Sequence, residues 1–140
     1  MNHYQTLLDR VHELNDLGKA NALLSWDREV NMPRAGTPER IAQMTTLGSL
    51  IHRMSTSNEM GELIERAAAE IDGADYDSDE AALIRLLRRN YADERKLPAD
   101  YVARAAEISG RAREAWVKAR AEDDFAHFQP WLEQVVALCQ

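Results

Sequence analysis

The chain has very few residues of the kinds that cross-link, bend or interrupt a fold. It contains one cysteine, Cys139, in 140 residues, so an intramolecular disulfide is excluded. Its six glycines are isolated, which excludes a Gly-rich phosphate-binding loop. The N-terminus has neither a basic segment nor an apolar core typical of a signal peptide. These features fit a reducing compartment, and we expect a cytoplasmic location.

Positive charge and long apolar runs are also scarce. The 17 Lys and Arg residues are outnumbered by 24 Asp and Glu residues, which gives a net charge of −7. Nucleic acids and anionic membranes both require a basic surface, so neither is expected as a partner. The apolar runs are a few residues long, far short of a membrane span.

Recognisable catalytic and metal-binding patterns are absent from the sequence. No two of the four histidines are three to five residues apart, and there is no H-E-x-x-H or G-x-S-x-G motif. We therefore predict no catalytic residue, no metal ligand and no cofactor in this chain. The carboxylates of Glu62, Glu65 and Glu70, with Arg66, are typical of a solvated helical face with weak ion pairs.

The sequence does contain repeated apolar residues at helical spacing, and no useful period-two alternation. The first such stripe predicts a helix over about residues 3–25. Thr37 before Pro38 is typical of an N-cap with proline at the first helical position. A third helix is predicted after Ser57.

Later helix boundaries follow from turn residues and caps. Gly73 can end a helix, and Asp77 with Glu80 resembles an acidic capping box for the fourth helix. A fifth helix is predicted from Pro98, with Trp116 on its apolar stripe, and a sixth with Pro130 at its first position. We predict an all-α fold of about six amphipathic helices in an antiparallel, bundle-like array, forming one domain over residues 1–140.

The final segment, WLEQVVALCQ, ends within an apolar stripe. It has no C-terminal glycine and no basic residue in its last turn. We therefore expect a chain cut from something longer. Without the missing parts, the fifth and sixth helices should expose an apolar patch and promote self-association.

The segment LLSWDREVNMP, residues 23–33, has two interpretations. In the structural interpretation, Trp26 anchors the end of the first helix in the core, and Asp27 binds backbone N–H groups or a nearby arginine at the turn. In the functional interpretation, both residues line a cleft. The structural interpretation is favoured, because buried aromatic residues contribute much of the packing energy.

The same segment and its continuation resemble the N-terminal region of the thermostable carboxypeptidase Taq family of zinc metallocarboxypeptidases. The family core W-D-x-E-x-x-M-P is matched, as is a following helix with Arg40, Gln43 and His52. LPADYV and AREAWVKARAEDDFAHFQPWLEQVV also resemble family segments, in the same order. The residues that we assign to a structural motif or cleft wall are Trp26, Asp27, Glu29, Met32, Pro33, Trp116, Arg120, Phe125 and Pro130.

The resemblance implies that the parent protein is a longer, almost wholly helical enzyme with a deep cleft, and family members are typically homodimers. Its zinc ligands and catalytic glutamate would come from an H-E-x-x-H segment beyond this chain. The chain would therefore help to shape the cleft without performing catalysis, since hydrolysis requires the metal-activated water. Its partners would be the rest of the carboxypeptidase chain or a second copy, and the complete enzyme would bind peptide substrate.

A second hypothesis belongs to another class of function. The chain could be a stand-alone helical interaction module that retained the scaffold and lost the enzymatic part. The nucleotide sequence after codon 140 distinguishes the two hypotheses.

Overall fold

A computed structural model describes residues 2–140, most of which lie in six helices. The helices are α1 (His3–Val30), α2 (Thr37–Ser55), α3 (Asn58–Glu70), α4 (Asp79–Glu94), α5 (Ala99–Glu122) and α6 (Gln129–Leu138). Short 3₁₀ turns occur at Arg34–Gly36 and Phe125–His127. No strand is found within residues 2–140. The prediction of an all-α fold with six helices is confirmed.

Two compact units can be distinguished, and each is described by itself. The first contains the residues up to Ala20 together with Leu50–Pro98. The second contains Asn21–Ser49 and Ala99–Gln140. The placement of all 140 residues in one domain stays a prediction. Of the helices within residues 2–140, none is apolar over a stretch long enough to cross a membrane.

The first unit has a core built from α1, α3 and α4. Its buried residues are Leu7, Met60, Ile64, Ala67 and Ile84. Leu7 and Ala67 have no exposed surface, and this burial of apolar side chains is the main stabilising term for the unit.

One glycine in the first unit is required by close packing. A Cβ atom at Gly61 would lie 2.6 Å from Cζ of Tyr91. Gly61 therefore lets the Tyr91 ring of α4 lie directly against the backbone of α3.

Serine residues cap α3 and α4. Ser57 Oγ accepts a hydrogen bond from the Met60 N–H at 3.1 Å, which confirms the predicted start of the third helix. Ser78 Oγ accepts from the Ala81 N–H at 3.2 Å and is the N-cap of α4. The predicted capping box of Asp77 and Glu80 is therefore wrong by one residue. Ser78 has the extended backbone of an N-cap and a side chain short enough to reach the N–H three residues later.

The carboxylate of Glu70 caps a helix distant in sequence. Its two oxygens accept hydrogen bonds from the His3 and Tyr4 N–H groups at the start of α1, both at 2.9 Å. These bonds lower the pKa of Glu70, because they favour its ionised form. Glu70 is exposed, as its place on a predicted solvated face implies, but its carboxylate also closes the first turn of α1.

The second unit brings α2 against α5 at a buried contact. A Cβ atom at Gly110 would lie 3.0 Å from Cγ1 of Ile41, whose side chain is buried. The absence of a side chain at Gly110 permits this approach. Pro130 is the second residue of α6, one position later than predicted, because the helix begins at Gln129.

A left-handed residue ends α5. Asp123 has φ 52°, and the Asp124 N–H donates to the Ala119 carbonyl oxygen at 3.0 Å. Asp124 then accepts a hydrogen bond from the Ala126 N–H through its side chain. These contacts turn the chain from α5 into the 3₁₀ turn before α6.

The predicted end of α1 is wrong, and so is the role assigned to Trp26 there. The helix continues past residue 25 to Val30, and the Trp26 side chain is 55% exposed instead of anchored in a core. Charged residues are compatible with a helix interior, so nothing stops the helix until the approach to Pro33.

Thr37 is also not an N-cap. Its backbone is already helical (φ −59°, ψ −43°), and its hydroxyl donates to the Arg34 carbonyl oxygen at 2.8 Å. The 3₁₀ turn at Arg34–Gly36 precedes it, so the reversal of the chain begins earlier than the Thr-Pro pair predicts.

Candidate functional site

The end of α1 is joined to α2 by a residue pair within the second unit. The Asp27 carboxylate lies 2.7 Å from Nη1 of Arg40. The same Nη1 donates to the Leu24 carbonyl oxygen at 2.8 Å, and Arg40 Nε donates to Gln43 at 3.1 Å. Arg40 therefore binds both a carboxylate and a carbonyl group in the last two turns of α1, where the helix dipole is negative.

Glu29, two residues later, is joined to α5. Its carboxylate accepts hydrogen bonds from Nε and Nη2 of Arg113, and Arg28 Nη2 lies 3.3 Å away. The hydrogen bond from Arg113 lowers the pKa of Glu29, and Glu29 in turn raises the pKa of Arg113. Glu29 is therefore held ionised by two guanidinium groups.

Met32 and Pro33 form the reversal itself. The Asn31 and Met32 N–H groups both donate to the Asp27 carbonyl oxygen at 3.0 Å, which closes the end of α1. Pro33 has φ −59° and ψ 141°, an extended conformation that leads into the 3₁₀ turn. The Met32 side chain lies over this turn: a Cβ at Gly36 would be 3.5 Å from its Cγ.

The other predicted site residues lie along α5 and the segment that follows it. Two arginines lie near the Trp116 ring, with Cζ of Arg113 at 5.1 Å and Cζ of Arg120 at 5.9 Å from its centroid. Trp116 is 42% exposed, so the burial expected from its place on the apolar stripe of α5 is incomplete. Phe125 is more exposed, and it contacts Phe128 edge to face at 5.9 Å.

A groove of about 720 Å³ lies in the second unit, and of the predicted site residues Glu29 and Met32 line it. We call it the basic groove, because five basic and three acidic side chains line it. Its basic residues are Arg28, Arg34, Arg111, Arg113 and Lys118. Met32 and Trp131 contribute apolar surface, and Cζ of Arg111 lies 6.0 Å from the Trp131 ring centroid.

All nine predicted site residues lie in the second unit. Glu29 of α1 and Trp116 of α5 are brought together through Arg113. The sequence pattern does not single out Arg113, because a basic residue among charges on a helix is usually solvated. Its partner Glu29 is 84 residues away, so no local signal could have identified the pair.

The side chains around the end of α1 form ion pairs that fix the path of the chain there. They do not have the donor arrangement of a metal centre. Within the described residues, no three His, Cys, Asp or Glu side chains converge. Zinc sites in proteins need three or four such donors around one point. The side chains present in residues 2–140 therefore do not fit a zinc ion.

The six helices and the absence of strands in the described part define the class, which is an all-α fold. A family model for the carboxypeptidase Taq (M32) metallopeptidases matches residues 6–140. Thermostable carboxypeptidase 1 of Thermus thermophilus is 33% identical over 135 residues, which are 96% of this chain and 26% of that protein. The protein of the same name from Pyrococcus furiosus is 31% identical over 134 residues, again 26% of its length.

Solved structures agree with the sequence comparisons. The crystal structure of BsuCP superposes with a TM-score of 0.89 at 25% identity, covering 99% of this chain and 27% of that one. The Pyrococcus furiosus carboxypeptidase superposes with a TM-score of 0.73 at 30% identity over the same shares. The chain belongs to the carboxypeptidase Taq (M32) metallopeptidase family, which confirms the resemblance, and spans about a quarter of the length of these relatives.

Proposed function

We propose that this chain is the N-terminal helical segment of a zinc-dependent metallocarboxypeptidase. The complete enzyme removes C-terminal residues from peptides, and this segment shapes its substrate cleft. The observation that carries the proposal is the family match over residues 6–140, combined with coverage of about 26% of the relatives.

The contacts at the end of α1 support a scaffold role for the motif residues. Asp27 and Glu29 each bind an arginine from another helix, and both carboxylates are thereby engaged. The hydrogen bond from Arg113 lowers the pKa of Glu29, so this carboxylate is poorly suited to accept a proton near neutral pH. We assign Asp27 and Glu29 to positioning the α1–α2 reversal, with Met32 and Pro33 forming it.

The metal chemistry belongs to another part of the enzyme in this proposal. Zinc would polarise a water molecule or the peptide carbonyl. The described residues do not fit the ion, so no step of the hydrolysis is assigned to them.

The exposed apolar residues of the second unit support packing against further protein. They are Leu23, Trp26, Val30, Trp116, Phe125, Leu132 and Val136. Leu23, Trp26 and Val30 are spaced three and four residues apart, and therefore share one face of α1. We propose that the rest of the carboxypeptidase chain covers this surface, and that self-association covers it when the rest is missing.

Peptidase assays on two proteins test the proposal. The 140-residue chain is compared with the complete product of its gene, on a peptide with a free C-terminal carboxylate, with and without a zinc chelator. We expect no activity from the 140-residue chain and chelator-sensitive activity from the complete product. Chelator-sensitive activity of the 140-residue chain would refute the scaffold role.

The alternative is a free-standing helical interaction module, which the same exposed apolar residues favour. An in-frame continuation with H-E-x-x-H after codon 140 supports the enzyme segment, whereas a natural stop supports the module. We also propose a cytoplasmic location and a homodimeric complete enzyme. Cell fractionation and light scattering test these two proposals.

A further inference from the structure

The basic groove of the second unit contains charge that the helix contacts described above do not use. Arg28 and Arg113 are engaged by Glu29, and Arg111 donates to Glu107 at 3.0 Å. Glu122 lies 2.7 Å from Nε2 of His127. Arg34 and Lys118 form no ion pair with any residue of the described chain, 2–140. Glu114 is the remaining acidic side chain of the groove without such a pair, so the unengaged charge is predominantly positive.

This local excess of positive charge contrasts with the net negative charge of the whole chain. The protein carries a net charge of −7, yet five of the eight charged Asp, Glu, Lys and Arg residues lining the groove are basic. Concave sites with walls of low dielectric concentrate the field of such groups and raise the local concentration of anions. A groove of about 720 Å³ is also within the usual range for small-molecule sites, roughly 300–1,000 Å³.

The groove also has an apolar component. Met32 lies on one side over the 3₁₀ turn, and Trp131, Ala115 and Val117 add further apolar surface. An inorganic anion would leave this surface without a partner, whereas an organic anion could cover it and gain from its burial.

We infer that the basic groove binds a small organic anion that carries at least two carboxylates on an apolar body. Arg34 and Lys118 bind the carboxylates, and Met32 and Trp131 contact the body. This binding would occur in the 140-residue chain alone and does not depend on the proposed peptidase activity.

Calorimetric titration with benzene-1,3-dicarboxylate tests the inference. We expect a dissociation constant below about 1 mM, and no binding of the uncharged dicarboxamide of the same shape. The double variant Arg34→Gln/Lys118→Gln should bind at least about fivefold more weakly. Both side chains are exposed, so the double variant should fold normally, as circular dichroism would verify.

Arg104→Gln provides the matched control, since Arg104 is an exposed residue of α5 that does not line the groove. Its affinity should stay within about twofold of the original protein. Equal affinity of the double variant and the original protein, or no binding of the dicarboxylate, would overturn the inference. Inorganic phosphate binding as tightly as the dicarboxylate would overturn it as well, because the apolar contact would then contribute nothing.

Discussion

The Asp27 carboxylate and the Arg40 guanidinium group lie 2.7 Å apart, and the same guanidinium donates to the Leu24 carbonyl oxygen at 2.8 Å. The Arg40 side chain of α2 thus contacts two residues in the last two turns of α1. Arg40 has 15% of its side chain exposed and Asp27 34%, so the pair is partly shielded from water. This shielding distinguishes it from the exposed pairs elsewhere on the helices.

Replacing Arg40 with glutamine should lower the free energy of unfolding by about 1–2 kcal/mol, because a partly buried carboxylate and a helix-terminal carbonyl both lose a charged donor. Urea unfolding followed by circular dichroism measures the change. Arg66→Gln is the control, since Arg66 pairs with Glu62 on an exposed face, and it should change stability by less than about 0.5 kcal/mol. Equal effects of the two substitutions would contradict the assigned role of Arg40.

The pair of Glu29 and Arg113 should make stability depend on pH. The pKa of Glu29 is lowered from its ordinary value of 4.5, so the folded state favours the ionised carboxylate. The resulting stabilisation is present above about pH 4.5, and it is lost as the pH falls through the lower pKa of the folded state. Both side chains are about 40% exposed, which limits the effect to about 0.5–1 kcal/mol.

Unfolding of the original protein and of Glu29→Gln, measured between pH 7 and pH 3, tests this dependence. The difference in stability should be largest near neutral pH and should shrink in acid. A difference that stays constant over this range would show that Glu29 acts through its shape and not its charge.

Gly61→Ala should destabilise the first unit by about 1–2 kcal/mol, because the new methyl group would overlap the Tyr91 ring. This cost exceeds the gain in helix propensity. Gly48→Ala is the matched control: Gly48 is within α2, and a Cβ there meets nothing within 4 Å. The control should stabilise the protein by about 0.5–1 kcal/mol. Thermal unfolding compares the two, and equal stability of both variants would remove the argument for close packing at Gly61.

Ser78→Ala should cost about 1 kcal/mol, since it leaves the Ala81 N–H of α4 without its cap. Asp77→Ala, one residue earlier, should cost less than about 0.5 kcal/mol. Chemical unfolding of both variants decides between the N-cap in the structure and the capping box predicted from the sequence. The larger loss at Asp77 would favour the sequence prediction.

Local patterns predicted the helices better than they predicted the helix ends. The start of α3 after Ser57 is confirmed, and Pro130 lies within one residue of its predicted position, because each acts through backbone atoms within three residues. Asp77 and Thr37 were misplaced, since several polar residues near a helix start can all cap it, and the competing turn geometry decides which one does. Trp26 was assigned to a core because large apolar side chains are usually buried, but its burial depends on which protein surface lies opposite.

The candidate site likewise combines features set by local sequence with contacts set by tertiary structure. The sequence by itself determined the helical periodicity, the acidic surface and the family motif at residues 26–33, because these depend on residue type and near neighbours. Only the tertiary structure decided that Asp27 pairs with Arg40, that Glu29 pairs with Arg113, and that basic side chains gather in one groove. These contacts join residues up to 84 positions apart. Charges alone are compatible with many partners, and the packing of α2 and α5 near the end of α1 selects one.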